Sequence, residues 1–385
     1  MSGKTLTVLA VGDIILGKPD AESYFTLAAP VLRSADVVVG QLEIPFTKRV
    51  INPYYLEIPT EIPAIPGCDP SNMSAFPFAG FNVLTLAGNH IWDAGVPGIE
   101  DSIDGLRKYD IAFVGAGMNI DEARNHVVIE RDGTRFGFLD YNCVGPKLTW
   151  ATPDKPGCAY VHIITHYELD HPTPGSNLAM VYTFAEPVSL GAMVEDINKL
   201  RPLCDILVVA FHKGVGFKPV EIAWYEKQIS YAAIDAGADL ILGHHAHILK
   251  GIEQYKGKII FHGLGNFVVA MPPVHEEPVT WAFQQWEERM KDIFHGLNEP
   301  DTGYTDYPWQ AETAQTIIAK CEVDGGQISR ASYLPCLINK QGQPEMLKND
   351  ERGQRVFDYM DRITREAGLN ARYEWEGDEV VVHSE

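Results

Sequence analysis

Gly237-Ala238-Asp239-Leu240-Ile241-Leu242-Gly243-His244-His245-Ala246-His247 is the stretch that decides the fold of this chain. Residues 221–236 before it carry helical periodicity, and Gly237 stands where a helix C-terminus favours glycine. Residues 239–242 then form a short apolar run, as expected of a strand covered on both faces. Three imidazoles in four positions follow. Packing rarely calls for such a cluster, whereas metal ligation does.

The same arrangement recurs upstream. Asp13 follows the apolar run 5–11, Glu43 follows 36–39 and a short Gln-Leu step, Asn89 and His90 follow 82–86, and His212 follows 205–210. Open α/β sheets bind ligands beyond the carboxyl ends of their strands. Five strand ends would therefore deliver acids, an amide and imidazoles to one edge. Such oxygen and nitrogen donors suit Zn, Mn, Fe or Co. The expected metal ligands are Asp13, Glu43, Asn89, His212, His245 and His247, around one or two divalent ions.

Further strand-like runs at 112–114, 126–130, 136–141, 252–255 and 258–261 alternate with helix-like stretches at 21–32, 96–109 and 190–200. This predicts an α/β layered core. Residues 314–338 read as two strands joined at Asp324-Gly325-Gly326, and 351–366 as a helix within a C-terminal segment, 339–385, packed on the core. Three stretches break the rhythm: a proline-rich loop at 51–77, a mixed insertion at 144–188 and a third at 271–312. In the third, Val279, Phe283, Trp286, Met290 and Phe294 recur at helical spacing, giving a face for the core, a lid or a homodimer contact.

The 385 residues, 45% hydrophobic and 22% charged, suffice for one large domain with insertions. With 31 basic and 52 acidic residues the formal charge is −21, which argues against nucleic acid and anionic membranes as partners. No apolar run reaches spanning length and the N-terminus lacks a signal-peptide pattern, so a cytoplasmic protein is expected. Six widely spaced cysteines without Cys-x-x-Cys predict buried thiols rather than a disulfide frame.

Taken in order, several motifs resemble the CapA family of capsule and poly-γ-glutamate synthesis proteins, related to calcineurin-like metallophosphoesterases. They are Gly12-Asp13, Gln41-Leu42-Glu43, Leu86-Ala87-Gly88-Asn89-His90 with Asp93-x-Gly95, Phe211-His212-Lys213-Gly214, the stretch 237–247 and Leu264-Gly265-Asn266-Phe267. The similarity covers about residues 5–270. It implies a four-layer α/β/β/α sandwich, placed at 1–338, with metals on the loops at one edge. It also implies that Asn89, His212 and the first histidine of the His-x-His pair hold one ion. Asp13 and His247 would hold the other, with Glu43 bridging or nearby, and His90 would protonate the leaving group. His244 competes with His245 for the first position.

The chain departs from the family in places. Metallophosphoesterases usually read Asp-x-His where this chain has Asp13-Ile14-Ile15, so one ion would lack a ligand. CapA proteins commonly read Asn-Leu-Glu and His-Trp-Gly-x-Glu. The local Gln41-Leu42-Glu43 and His212-Lys213-Gly214-Val215-Gly216 imply a different substrate pocket.

The expected activity is metal-dependent hydrolysis, by metal-acidified water, of a small phosphoester or of an amide such as a γ-glutamyl bond. The alternative is a non-catalytic accessory role in capsule or poly-γ-glutamate assembly. Asp13 and His90 are the catalytic candidates. Lys213, His244, His262 and Asn266 are the expected contacts to a small-molecule or short peptide-like anionic substrate, with Lys213 holding an anionic group. His162-x3-His166 would pair on a helix, but 160–165 reads as a strand, which sets the two side chains about 13 Å apart.

Overall fold

The computed structural model describes residues 4–49, 67–168, 180–272, 297 and 310–384. Among these residues the larger sheet has ten strands. β1 (Leu6–Leu16), β2 (Val37–Leu42), β3 (Val83–Thr85) and β4 (Ala112–Val114) run parallel, and β15 (Asn266–Ala270) also lies parallel to β1. On the other flank of β1 come the antiparallel strands β16 (Gln315–Asp324), β17 (Gln327–Ile338), β20 (Glu379–Ser384) and β19 (Ala371–Glu376), with β18 (Pro344–Met346) beside β17. The second sheet runs β13 (Leu249–Tyr255), β14 (Lys258–Leu264), β12 (Leu240–His245), β11 (Ile206–Lys213), β7 (Thr134–Asn142), β6 (Val127–Arg131). Its four inner strands are parallel. Two short ribbons stand outside the sheets, β5 (Ala116–Gly117) with β8 (Gly157–Cys158) and β9 (Ile163–Glu168) with β10 (Met180–Ala185).

Side chains alternate across a strand, so each sheet has two faces to cover. Val8, Ala10, Val37 and Val83 of the larger sheet meet Phe138, Val208, Leu242 and Phe261 of the second in a shared inner core. Helices cover the outward faces. α1 (Gly95–Lys108) lays Ile99, Ile103 and Leu106 on the larger sheet. α2 (Pro187–Leu200) and α3 (Trp224–Asp235) lay Met193, Ile197, Ile229 and Ala233 on the second. The layer order is α/β/β/α, as the resemblance implied. α4 (Glu351–Glu366) drives Val356, Met360 and Ile363 into the inner core and closes one open side of the sandwich. Each such fully buried side chain contributes roughly 2 kcal/mol.

Several elements differ from the sequence expectation. The strand expected at 5–11 continues to Leu16. Residues 21–32, expected as one helix, split into a 3-10 segment (Ala21–Phe25) and a single α turn (Ala29–Leu32), with Pro30 at its start where a missing N–H is tolerated. Part of the expected loop 51–77 is helical, Pro70–Ser74 and Ala75–Ala79, while 51–66 lie outside the described residues. Within 339–385, the stretch after α4 is a hairpin that widens the larger sheet. The helical face from Val279 to Phe294 and residues 169–179, including His171, also lie outside the described residues. All six cysteines are buried. No helix among the described residues is long and apolar enough to cross a membrane.

Candidate metal centre

Asp13 lies within β1 rather than after it. The register of β1 slips against β2 between Ala10 and Asp13, and against β15 between Asp13 and Ile14. Such a bulge re-aims one side chain. Gly12 makes it fit, because a Cβ there would lie 2.0 Å from the Gly265 carbonyl oxygen, which accepts the Asp13 N–H at 3.0 Å. At Gly265 (φ +69°) the chain leaves β14 of one sheet and enters β15 of the other, bringing Asn266 opposite Asp13. In the second sheet Asn142, His212 and His244 form a row across β7, β11 and β12. His212 continues the inward-facing positions Val208 and Ala210, and His244 continues Leu240 and Leu242. The imidazoles therefore meet Asp13 across the seam between the sheets.

The candidate ligand atoms converge. Asp13, Glu43 and His212 are buried and offer atoms within 4.8 Å of one another. Asn89 Oδ1 is 2.7 Å from His212 Nε2, and Glu43 Oε1 is 3.7 Å from both His212 Nε2 and His247 Nε2. Asp13 Oδ1 lies 3.2 Å from His244 Nδ1, and Oδ2 lies 3.3 Å from His247 Nδ1. The His245 ring centroid is 4.9 Å from that of His212. His245 and His247 both have left-handed backbone, φ +85° and +53°. Asn266 holds His247 twice: its Oδ1 pairs with Nδ1 at 2.9 Å, and its Nδ2 donates to the His247 carbonyl at 3.0 Å. The second bond fixes the amide orientation, so Nδ1 carries the proton and Nε2 keeps the lone pair.

Seven buried polar atoms here have no hydrogen-bond partner among the described residues: Asp13 Oδ1, both Glu43 oxygens, His212 Nδ1, both His244 nitrogens and His245 Nδ1. Native interiors seldom leave such atoms bare, and an ion is one standard reason. Neighbouring ligands on one ion, with bonds of about 2.1 Å, stand roughly 3.4 Å apart in a tetrahedral shell. The residues fit a divalent ion. The charge states of the histidines agree. Burial, then the neighbouring imidazoles, holds His212 well below its ordinary range and His245 at about 3, so both stay neutral and able to ligate. Burial, then the Asp13 charge, pushes Glu43 well above the carboxylate range. Asp13 stays low despite its burial because His244 and His247 face it.

His90 stands at the rim of this cluster, its side chain partly exposed, with Nδ1 2.7 Å from Asp93 Oδ2. Burial disfavours its charge, but Asp93, Glu43 and Asp13 together lift it to about 9. Asp93 had no assigned role in the sequence; its i,i+3 spacing from His90 was the available signal. Asp140 was also missed. Its Oδ2 accepts the Ala87 N–H at 2.6 Å and braces the loop that ends at Asn89.

Two expected substrate contacts need correction. Strand alternation turns Lys213 to the outward face under α3, where Nζ donates to Ser230 Oγ at 2.8 Å and to the Glu226 carbonyl at 3.3 Å. His262 faces the same way, with Nδ1 3.3 Å from Lys213 Nζ and Nε2 2.9 Å from Glu253 Oε2. Both side chains are fully buried, so neither presents itself to a substrate. His244 and Asn266 are buried at the seam, against Asp13 and His247 respectively. Ile15 belongs to the outer core, 3% exposed, and supplies no ligand. His162 and His166 do not form a metal cluster: His166 lies on the exposed β9–β10 ribbon, and the His162 ring lies 5.0 Å from that of Trp150.

A family model described as bacterial capsule synthesis protein PGA_cap matches residues 7–271. The PGA biosynthesis protein CapA of Bacillus subtilis is 28% identical over 278 residues, covering 69% of this chain and 64% of that protein. The capsule biosynthesis protein CapA of Bacillus anthracis is 30% identical over 273 residues, covering 68% and 59%. The chain thus spans about three fifths of the length of these relatives. Among solved structures, the calcineurin-like phosphoesterase YfkN of Bacillus subtilis aligns at 12% identity with a TM-score of 0.39, over 96% of this chain and 99% of that one.

Proposed function

The chain belongs to the bacterial capsule synthesis protein family PGA_cap, and from that premise we propose that it is a metal-dependent hydrolase of a small anionic substrate, a phosphoester or an amide such as a γ-glutamyl bond. The observation that carries this reading is the set of seven unpartnered buried polar atoms, five of them on the candidate ligands Asp13, Glu43, His212 and His245 and two on the adjacent His244, gathered at one seam beside His90. Asp13, Glu43, Asn89, His212, His245 and His247 would hold one or two ions. A divalent ion bound there would acidify water and polarise the scissile centre. The chain's own residues supply the rest. Asn266 orients His247. Burial of the ligands keeps bulk water from their charges. His90, with Nδ1 engaged by Asp93, holds a proton on its other nitrogen at the rim, where a leaving oxygen or nitrogen would take it.

The test is reconstitution with Mn²⁺, Zn²⁺ or Co²⁺, followed by assay against phosphoesters and γ-glutamyl peptides. Ion-dependent turnover that is abolished in His90→Ala supports the hydrolase. A protein that takes up no transition metal, with His212→Ala behaving like the parent, would sink the metal site. The buried Ile15, where a further ligand could stand, favours a second reading: a non-catalytic accessory role in polymer assembly. Tight binding of a glutamyl ligand without turnover would select it.

A further inference from the structure

Three non-glycine residues beside the centre adopt left-handed backbone: His245 (φ +85°), His247 (φ +53°) and Phe217 (φ +58°). Residues with side chains avoid that region, bulky ones most of all. Strain of this kind persists where the surroundings over-determine a functional geometry. The three are physically coupled. The Phe217 N–H donates to the carbonyl of Ala246, between the two histidines, at 2.9 Å. The Phe217 ring stacks on the His247 imidazole, with centroids 5.8 Å apart and planes at 24°. The loop that carries Phe217 is anchored at its start as well. Gly214 (φ +105°) donates its N–H to Tyr225 Oη at 2.6 Å, and a Cβ there would come within 3.1 Å of buried Glu226 Oε2 and Lys250 Nζ. Residues 214–217 therefore form a fixed strut from His212, at the end of β11, to the His-x-His turn after β12.

We propose that Phe217 is a positioning residue of the metal centre. It fixes the plane of His247 from the ring face, as Asn266 fixes it from the ring edge, and so holds Nε2 toward Glu43. This rests on the metal-site reading above. Phe217→Leu keeps apolar bulk but loses the flat ring, whereas Phe217→Tyr keeps the ring. The readouts are Zn²⁺ and Co²⁺ affinity by competition with a chromophoric chelator, the visible spectrum of the Co²⁺ form, and metal-free thermal unfolding. Expected for Phe217→Leu is a cooperatively folding protein with affinity reduced by about tenfold or more, the usual cost of losing a partner that orients a ligand, and an altered Co²⁺ spectrum. Phe217→Tyr should match the parent in both. If Phe217→Leu does not fold, Phe217→Met is read in its place. Parent-like affinity and an unchanged Co²⁺ spectrum in the ring-less variant would overturn the proposal while leaving the metal site intact. Failure of the parent itself to bind either ion would overturn the site, and this role with it.

Discussion

The backbone N–H of His245 donates to Asp13 Oδ2 at 3.1 Å, across 232 residues of sequence. The same carboxylate faces His244 on its other oxygen and His247 beside it. One side chain of the larger sheet thus clamps the His-x-His turn of the second. Asp13 acts as a ligand candidate and as the stitch between the two halves of the site.

Glu43 should show opposite effects with and without an ion. Without one, it is a buried acid beside another acid, with both oxygens unpartnered. Glu43→Gln should therefore leave the metal-free protein as stable as the parent or raise its Tm by about 1–3 °C, while ion uptake falls steeply. Parallel calorimetry of metal-free and loaded protein checks this. A variant that keeps the parent's ion content contradicts the ligand assignment.

His90 and Asp93 should separate chemistry from binding. Loss of a positioned proton donor lowers turnover by about 10²–10⁴-fold. His90→Asn is expected to fall in that range with its ion content unchanged by elemental analysis. Asp93→Asn should fall less, since it only orients and charges His90.

The outward-facing His262–Glu253 pair makes stability sensitive to acid. Burial, then Lys213, depresses His262 to about 4, from 6.5. Glu253, despite partial burial, is held at about 2 by His262 and Tyr231, from 4.5. Both folded values lie below the unfolded ones, so the unfolded chain binds more protons and stability is lost as pH falls. His262 contributes between pH 6.5 and about 4, and Glu253 between 4.5 and about 2. Urea unfolding should show His262→Gln losing less stability than the parent between pH 6.5 and 4.5, by roughly 2–3 kcal/mol. Equal losses would mean that His262 does not titrate as described.

Gly12→Ala should be among the costliest small substitutions in the chain. Its Cβ would meet backbone, the Gly265 carbonyl at 2.0 Å, where no side-chain rotation gives relief. A loss of about 3 kcal/mol or more in denaturant unfolding is expected, together with weakened ion binding, because Asp13 rides on the same bulge. A parent-like midpoint would show that the bulge has slack.

The parallel strands were legible because their apolar runs are short, dense and bounded by turns, as at 239–242. The candidate site could be assembled from the sequence because its residues cluster at or near the ends of those runs. The failures share physical causes. Adjacency to His212 suggests Lys213 for the site, yet one step along a strand reverses the face. The extension of β1 past Asp13 depends on a bulge made by Gly12 against Gly265, a contact between distant segments that no local pattern announces. The β19–β20 hairpin lies in the C-terminal segment for which no strands are expected, although Tyr373 and Trp375 alternate before a turn at Gly377-Asp378. Phe217 brings its ring onto His247 from a left-handed backbone, which nothing in its side chain foretells.

The placement of β1 has a consequence for biosynthesis. It lies between β2 and β16, with β15 alongside, so its neighbours come from both ends of the described chain. A nascent polypeptide that has emerged as far as His212 has Asp13 and Glu43 but neither the His-x-His turn nor Asn266. An ion held by this candidate set would then be taken up only after the His-x-His turn and Asn266 have been made. Products that stop short of residue 247 would lack the complete candidate site.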